Sequence, residues 1–466
     1  MGAMSAKSSF DARVREAVAD ERLRLTVLSA TTGQDQKRRE AWAGLPRVEE
    51  MRRLAMEIKD HTLDHLDAYL AQLIRSLDRV GATVHLAATA GEAVGTVVEI
   101  ARRHGCRRAV KSKSMTTEEL DLNPALEAAR IEVVETDLGE FIVQLDHDRP
   151  SHITAPIVHK DVAACARTFA RELGVPYAED PQVLVKVARA KLREVFRRAD
   201  LGITGVNFAV AESGTIVLVT NEGNGRLCTL RPRVHVALMG IEKVVPTLGD
   251  LSVLLKLLAR SATGQKLSVE THFLTGPRRS DDPDGAEHLH VVIIDHGRSR
   301  ILAGPYRETL RCIRCGACLN ICPVYRSIGG HAYGSIYPGP IGKLITPLLS
   351  DWREGADLPG ASTLCGACLS ACPVKIDIPS LLIRMRGDRR APQSTLGLRL
   401  LMFAMRSPRL YGWGQRLLRL ALRRRAPDGW VSAAPGPLRG WTAADRDLMA
   451  PPPSAFLDRW RRGSDE

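Results

Sequence analysis

Four cysteines fall within eleven residues in CIRCGACLNICP, residues 312–323, and the last is followed at once by Pro323. So many soft ligands in so short a run restrict the local fold severely. They must converge on metal or close as strained disulfides. Zinc sites set their ligands as pairs separated by a longer gap, which this run does not do. Forty-three residues after Cys322, CGACLSACP begins at Cys365 and supplies only three cysteines before Pro373. Seven of the ten cysteines lie in these two sets. The stretch MGAMSAKSSF lacks the apolar segment of a secretory signal and has Ala6 where a myristoylation motif needs Ser or Thr. A cytoplasmic, reducing compartment is therefore expected, where clustered cysteines bind metal and do not pair.

The order Cys312-x2-Cys315-x2-Cys318-x3-Cys322-Pro323 is that of bacterial two-cluster ferredoxins, in which the fourth cysteine reaches across to the other cluster. By that rule Cys312, Cys315, Cys318 and Cys372 hold a first cluster, a [4Fe–4S]. Cys322, Cys365 and Cys368 hold a second, [4Fe–4S] or [3Fe–4S]. Aligned on its proline, the second set has Ser362 where the first has Cys312. Its fourth iron is bound by that serine, by a distant residue, by a small ligand or partner, or is absent. Cys106, Cys165 and Cys228 are alternative donors, set against the plainer reading of buried thiols acting as small hydrophobes. Cys228 draws the most interest because it follows the Gly-rich TNEGNGR.

A chain of 466 residues exceeds one ordinary core, so two or three domains are expected. Residues 1–46 read as a polar arm or helix. From 47 to 80 apolar residues recur at three- and four-residue steps up to Gly81, as one helix would. Short β-type runs such as TVHLAA, RIEVVET, GTIVLVT, VHVALMG and HLHVVIID then alternate with helical ones. That rhythm predicts an α/β domain over 47–300 with a mostly parallel sheet. The cysteine sets occupy a further domain over 301–392, and a basic helical extension covers 393–466. No apolar run reaches 18 residues, so no membrane-spanning helix is expected. Of the net charge of +13, +10 lies between 381 and 466, where 17 Arg face 7 Asp and Glu. This local field lacks stacking aromatics, which argues against nucleic acid. It suits docking to an acidic partner or, peripherally, to an anionic membrane surface.

The cysteine block, with KSKSMTTEEL, ETDLGEFIVQL, RPSHITAP, GVNFAVAESGTIVLVTNEGNGR and EKVVPTLGDL, resembles the lactate-utilisation iron–sulfur proteins of B type over nearly the whole chain. The resemblance implies electron transfer in the oxidation of L-lactate to pyruvate. It implies two companions, a second iron–sulfur or cysteine-rich subunit and a smaller subunit with a lactate-utilisation domain; a cytoplasmic chain is expected, and any membrane association runs through partners. It implies an α/β fold related to sugar-phosphate isomerases and CoA transferases, a mainly α-helical two-cluster ferredoxin domain over 301–392, and a three-cysteine second set as the family pattern.

Other constellations are weaker. Lys111 and Lys113 stand at a strand end before an expected capping box, Thr116-x-x-Glu119, where cations beside a helix N-terminus favour an anion. Asn221, Gly223, Gly225 and Arg226 offer a second anion cradle, although a tight turn explains the glycines equally well. Glu212 is a candidate catalytic carboxylate by fold analogy alone. His61 and His65 lack the glutamate of a zinc protease helix, and His288 and His290 read as a surface strand face. No dinucleotide or Walker fingerprint is present, and taking a hydride from lactate needs a flavin or nicotinamide. The leading expectation is an electron-carrying subunit. The rival is an α/β enzyme or ligand-binding module for an anionic metabolite, with the clusters as redox sensor.

Overall fold

The computed structural model describes residues 9–388, 395–442 and 446–462. They fall into two compact units, one up to Asp388 and one from Arg389.

Six strands build the main sheet of the first unit: β1 (Thr83–Ala87), β2 (Arg108–Lys111), β3 (Glu132–Glu135), β4 (Leu201–Gly205), β7 (Val234–Gly240) and β10 (His288–Ile294). Their order is β1-β10-β7-β4-β2-β3 and every pairing is parallel. Alternate residues of the central strands enter different cores. Val234, Val236, Leu238, Val292 and Ile294 face one, while Ala237, Met239, Leu289, Val291 and Ile293 face the other. Burial on both faces is what a parallel sheet between helices requires. The run GTIVLVT, expected in that sheet, instead belongs to a second, four-stranded one made of β5 (Phe208–Val210), β6 (Thr215–Thr220), β8 (Val244–Val245) and β9 (Glu270–Leu274). Its order is β8-β5-β6-β9, and β6 runs antiparallel to both neighbours.

The expected helix over 47–80 is two, Val48–Asp64 and Leu66–Arg79, with His65 at φ −120° between them. The helix expected to open at Thr116-x-x-Glu119 ends at Glu119, and a second begins at Leu122, because Asp121 takes a left-handed φ of 52°. Residues read as an arm form helices Phe10–Ala19 and Glu21–Ala43, and the longer packs on both helix Leu248–Ala262 and helix Ala317–Ile321. One hydrophobic core therefore runs from Val210, Ile216 and Leu254 beneath the second sheet to Tyr325, Leu344 and Met385 of the cysteine segment.

The second unit holds helices Thr395–Arg406 and Pro408–Arg423, then a two-stranded ladder pairing Trp430 with Met449. Phe403, Trp413 and Leu417 of its helices are exposed. Among the described residues no helix is long and apolar enough to cross a membrane.

Candidate metal centre

The two cysteine sets fold as copies of one loop. Arg314, Cys315 and Gly316 turn through left-handed φ values of 61° and 76° at the flanking residues, then helix Ala317–Ile321 carries Cys318 toward Cys322. Leu364, Cys365 and Gly366 repeat the turn at 55° and 81°, and helix Ala367–Ala371 carries Cys368 toward Cys372. Cys322 and Cys372 leave their helices at nearly identical angles, ψ 119° in each. Left-handed backbone is costly for Arg and Leu. Its recurrence at equivalent sites marks a loop wrapped around something. The two short helices pack against each other.

This packing interleaves the thiols. Cys372 lies within the electrostatic reach of Cys312 and Cys315, and Cys322 within that of Cys368. No cysteine in the chain forms a disulfide. Cys315, Cys318, Cys322 and Cys372 are buried, Cys312 and Cys368 partly so, and Cys365 is exposed. Burial pushes the Cys368 and Cys372 thiols up to about 11, and Cys315 and Cys318 higher still, so bare thiolates are disfavoured there. Backbone N–H groups are nevertheless aimed at sulfur, as from Ile376 to Cys372 Sγ at 3.4 Å. The Tyr333 hydroxyl is buried without a hydrogen-bond partner among the described residues, in the field of Cys322 and Cys318. A donor set of soft sulfur, ringed by N–H and O–H groups that lack oxygen acceptors, fits iron–sulfur clusters. The Ser362 hydroxyl accepts from the Leu364 N–H at 3.2 Å and so closes its own loop.

Positive charge surrounds the thiols, supplied by residues that sequence reasoning passed over. Arg52, from helix Val48–Asp64, donates to the carbonyls of Cys372 at 2.7 Å and Ser370 at 3.0 Å and stacks on Trp42. The fully buried Lys343 places Nζ 4.0 Å from Cys322 Sγ. Near Cys312 lie Lys59, Lys243 and Arg314. Burial lowers both Lys59 and Lys243 to about 8. Arg298 anchors this region by a bidentate pair with Glu119, both at 2.8 Å, and a 2.7 Å contact with Glu242. Only Arg314, inside the cysteine run, was visible as a motif neighbour. Arg52 and Lys59 become neighbours of sulfur through packing across more than two hundred residues, Lys243 from the α/β part nearer in sequence, and Lys343 through the loop between the sets.

The remaining expected sites lie elsewhere. Lys111 is fully buried and ion-paired to Glu118 (2.8 Å) and Glu135 (2.7 Å). Lys113 pairs with Glu140 at 2.5 Å and borders a cavity that Asn221 and Gly225 also reach. Gly223, at φ 74°, caps helix Asn224–Leu230, and Arg226 is exposed. Ser114, not Thr116, caps helix Met115–Glu119, and Glu119 turns inward to Arg298. Glu212 accepts from the Leu248 N–H at 2.7 Å and caps that helix, outside the cavity. Cys106 and Cys165 sit in separate hydrophobic cores, and Cys228 lies 3.4 Å from the Thr136 hydroxyl. His290, expected on a surface face, is buried, within 3.1 Å of His85 and 3.2 Å of His104. Asp148, His159 and His331 also converge, but Lys160 already fills that carboxylate's field at 2.9 Å.

Comparison with known proteins agrees with this geometry. Residues 70–294 match the LUD domain and residues 308–376 match a 4Fe-4S dicluster domain. Lactate utilization protein B of Shouchella clausii is 46% identical, with 96% of each chain covered. The chain belongs to the lactate utilization protein B family. The Bacillus subtilis member is 44% identical over 97% of this chain and 95% of its own. An Escherichia coli relative called an uncharacterized electron transport protein, YkgF, is 46% identical over 83% of this chain and 81% of its own. A solved DUF162 family protein from Deinococcus radiodurans aligns with 49% of this chain and 98% of its own at 15% identity and a TM-score of 0.27.

Proposed function

We propose that this chain is the iron–sulfur electron-transfer subunit of a multi-subunit system that oxidises L-lactate to pyruvate. The observation that carries the reading is the interleaved pair of cysteine loops. In it Cys312, Cys315, Cys318 and Cys372 form one ligand set, for a [4Fe–4S] cluster. Cys322, Cys365 and Cys368 form the other, for a [4Fe–4S] or [3Fe–4S] cluster. Clusters held there supply one-electron carriage. The protein's part is to keep water from the first set by burial, to donate N–H groups to sulfur, and to offset thiolate charge with Lys59, Lys343, Arg52 and Arg314. The second set opens to the surface at Cys365, which makes that edge the contact for an electron partner.

The names of the relatives support lactate as the metabolite, and companion subunits holding the hydride-accepting cofactor complete the system. Functionally the chain divides into a lactate-utilisation part over 47–300, similar to isomerases and CoA transferases, a helical cluster part over 301–392, and a docking extension over 393–466. The extension is rich in Arg and exposes apolar side chains such as Phe403, Trp413 and Leu417, a surface suited to an acidic protein partner in the cytoplasm.

Anaerobically purified protein is expected to carry about seven to eight irons, measured by iron and sulfide assay. A count near four, or zinc in place of iron, contradicts the two-cluster reading. The isolated chain is expected to give no reduction of an artificial acceptor with L-lactate, activity returning only when companions are added. Turnover by the single chain would refute the carrier role.

A further inference from the structure

Strand order places a crevice where the chain reverses its direction of travel across the sheet. From β2 the chain first moves outward to β3, then returns to the other side of β2 as β4 and proceeds to β7 and β10. In parallel sheets, ligands bind outside the carboxyl ends of strands at this switch point. Here that crevice is a real cavity of about 270 Å³, bordered by Ser112–Thr116 after β2 and Gly205–Asn207 after β4. It is closed on the far side by Lys243 and by Arg314 of the first cysteine loop.

Those two cations are short of partners. Lys243 is 7% exposed, yet its amine makes no hydrogen bond or ion pair among the described residues. The Arg314 guanidinium stacks 4.7 Å from the Tyr337 ring centroid and comes no nearer than 3.7 Å to the Glu242 carboxylate. Glu242 is already engaged by Arg298 at 2.7 Å, and its carbonyl by Lys59 at 2.5 Å. Lys59, Lys243, Arg298 and Arg314 are thus four cations that share two carboxylates, Glu119 and Glu242, and the Cys312 sulfur. Of these, Lys243 and Arg314 line the cavity. A buried ammonium without an oxygen acceptor is expensive, and a carboxylate seated between Lys243 and Arg314 satisfies both.

We propose that this cavity binds a small monocarboxylate, held by Lys243 Nζ and the Arg314 guanidinium directly beside Cys312. The rest of the lining sets the class. Ile153, Val206 and Leu258 supply an apolar wall for a short carbon tail. Asn207 gives its side-chain oxygen to the Val219 N–H at 2.9 Å and keeps its amide N–H groups for a hydroxyl or keto oxygen. The volume lies below the roughly 300–1,000 Å³ of pockets for drug-sized ligands, which suits a small ligand. A free phosphate uses the cations and leaves the apolar wall idle. The site goes beyond the electron-carrier reading, since a relay needs no such cavity.

The test uses the anaerobic, iron-replete full chain, titrated calorimetrically with pyruvate, L-lactate and inorganic phosphate. One-site binding of pyruvate or L-lactate is expected, with phosphate at least tenfold weaker. Lys243→Met is expected to weaken binding at least tenfold. Ala262→Trp, which fills the cavity from the opposite wall without touching a charge, is expected to abolish it. Iron content and thermal midpoint report whether each variant is folded, and the two variants fail independently. Ligand is also expected to alter the EPR signal of the reduced wild-type cluster and not that of Lys243→Met. Phosphate binding as tightly as the carboxylates overturns the assignment, as does wild type that binds neither acid. So does a Lys243→Met chain whose midpoint potential shifts while wild type shows no ligand response, because the lysine then only offsets cluster charge. None of those failures changes the iron count or the lactate turnover that test the carrier reading.

Discussion

Replacing Cys372 by alanine is expected to destroy the cluster held by Cys312, Cys315 and Cys318, although those residues lie some fifty positions earlier. EPR and iron analysis of the anaerobic variant should show the signal of the first set lost and about half the iron gone, with the signal of the second set retained. The reason is geometric. Cys372 lies in the field of Cys312 and Cys315 where the two loops pack together. Selective loss of the Cys365 and Cys368 cluster would show that each loop holds its own metal.

The largest expected loss of stability follows removal of Arg298. Its guanidinium is 1% exposed and serves Glu119 twice and Glu242 once. Burial raises both carboxylates, but Arg298 more than offsets it, so that Glu119 is lowered and Glu242 falls to about 2. Arg298→Met strands two buried charges, and breaking such a pair costs about 3–5 kcal/mol. Urea unfolding of the iron-loaded protein should show the drop. Adding Glu119→Gln and Glu242→Gln to that variant is expected to recover part of it, which simple loss of packing volume would not allow.

What the sequence exposed and what it hid follow one division. Features carried by a local run were legible: the cysteine order, the apolar strands VHVALMG and HLHVVIID, and the parallel α/β rhythm. The central strand β4, LGITG, escaped because glycine lowers strand propensity. Its glycines answer to distant neighbours. A Cβ on Gly202 would stand 1.8 Å from the Cys228 carbonyl oxygen, and one on Gly205 would stand 2.2 Å from the Ser114 hydroxyl. The break at His65 was hidden for the converse reason, since the apolar spacing runs through it. The charged surroundings of the cysteines were equally unreadable. Lys59, Lys243 and Arg298 look like ordinary solvated residues until the tertiary fold buries them.

The hydrophobic core that passes without a seam from the second sheet into the cysteine segment bears on the life of the molecule in the cell. A group that binds only the native state adds its binding free energy to whatever unfolds with the site. Here that is the whole of the first unit, because helix Glu21–Ala43 is braced on both parts at once. Oxidative loss of iron would therefore loosen the lactate-utilisation part as well, and expose it to proteolysis. Chains that never acquire iron, or lose it, would be cleared and replaced, so the supply of iron and sulfide sets how much of this protein a cell can maintain.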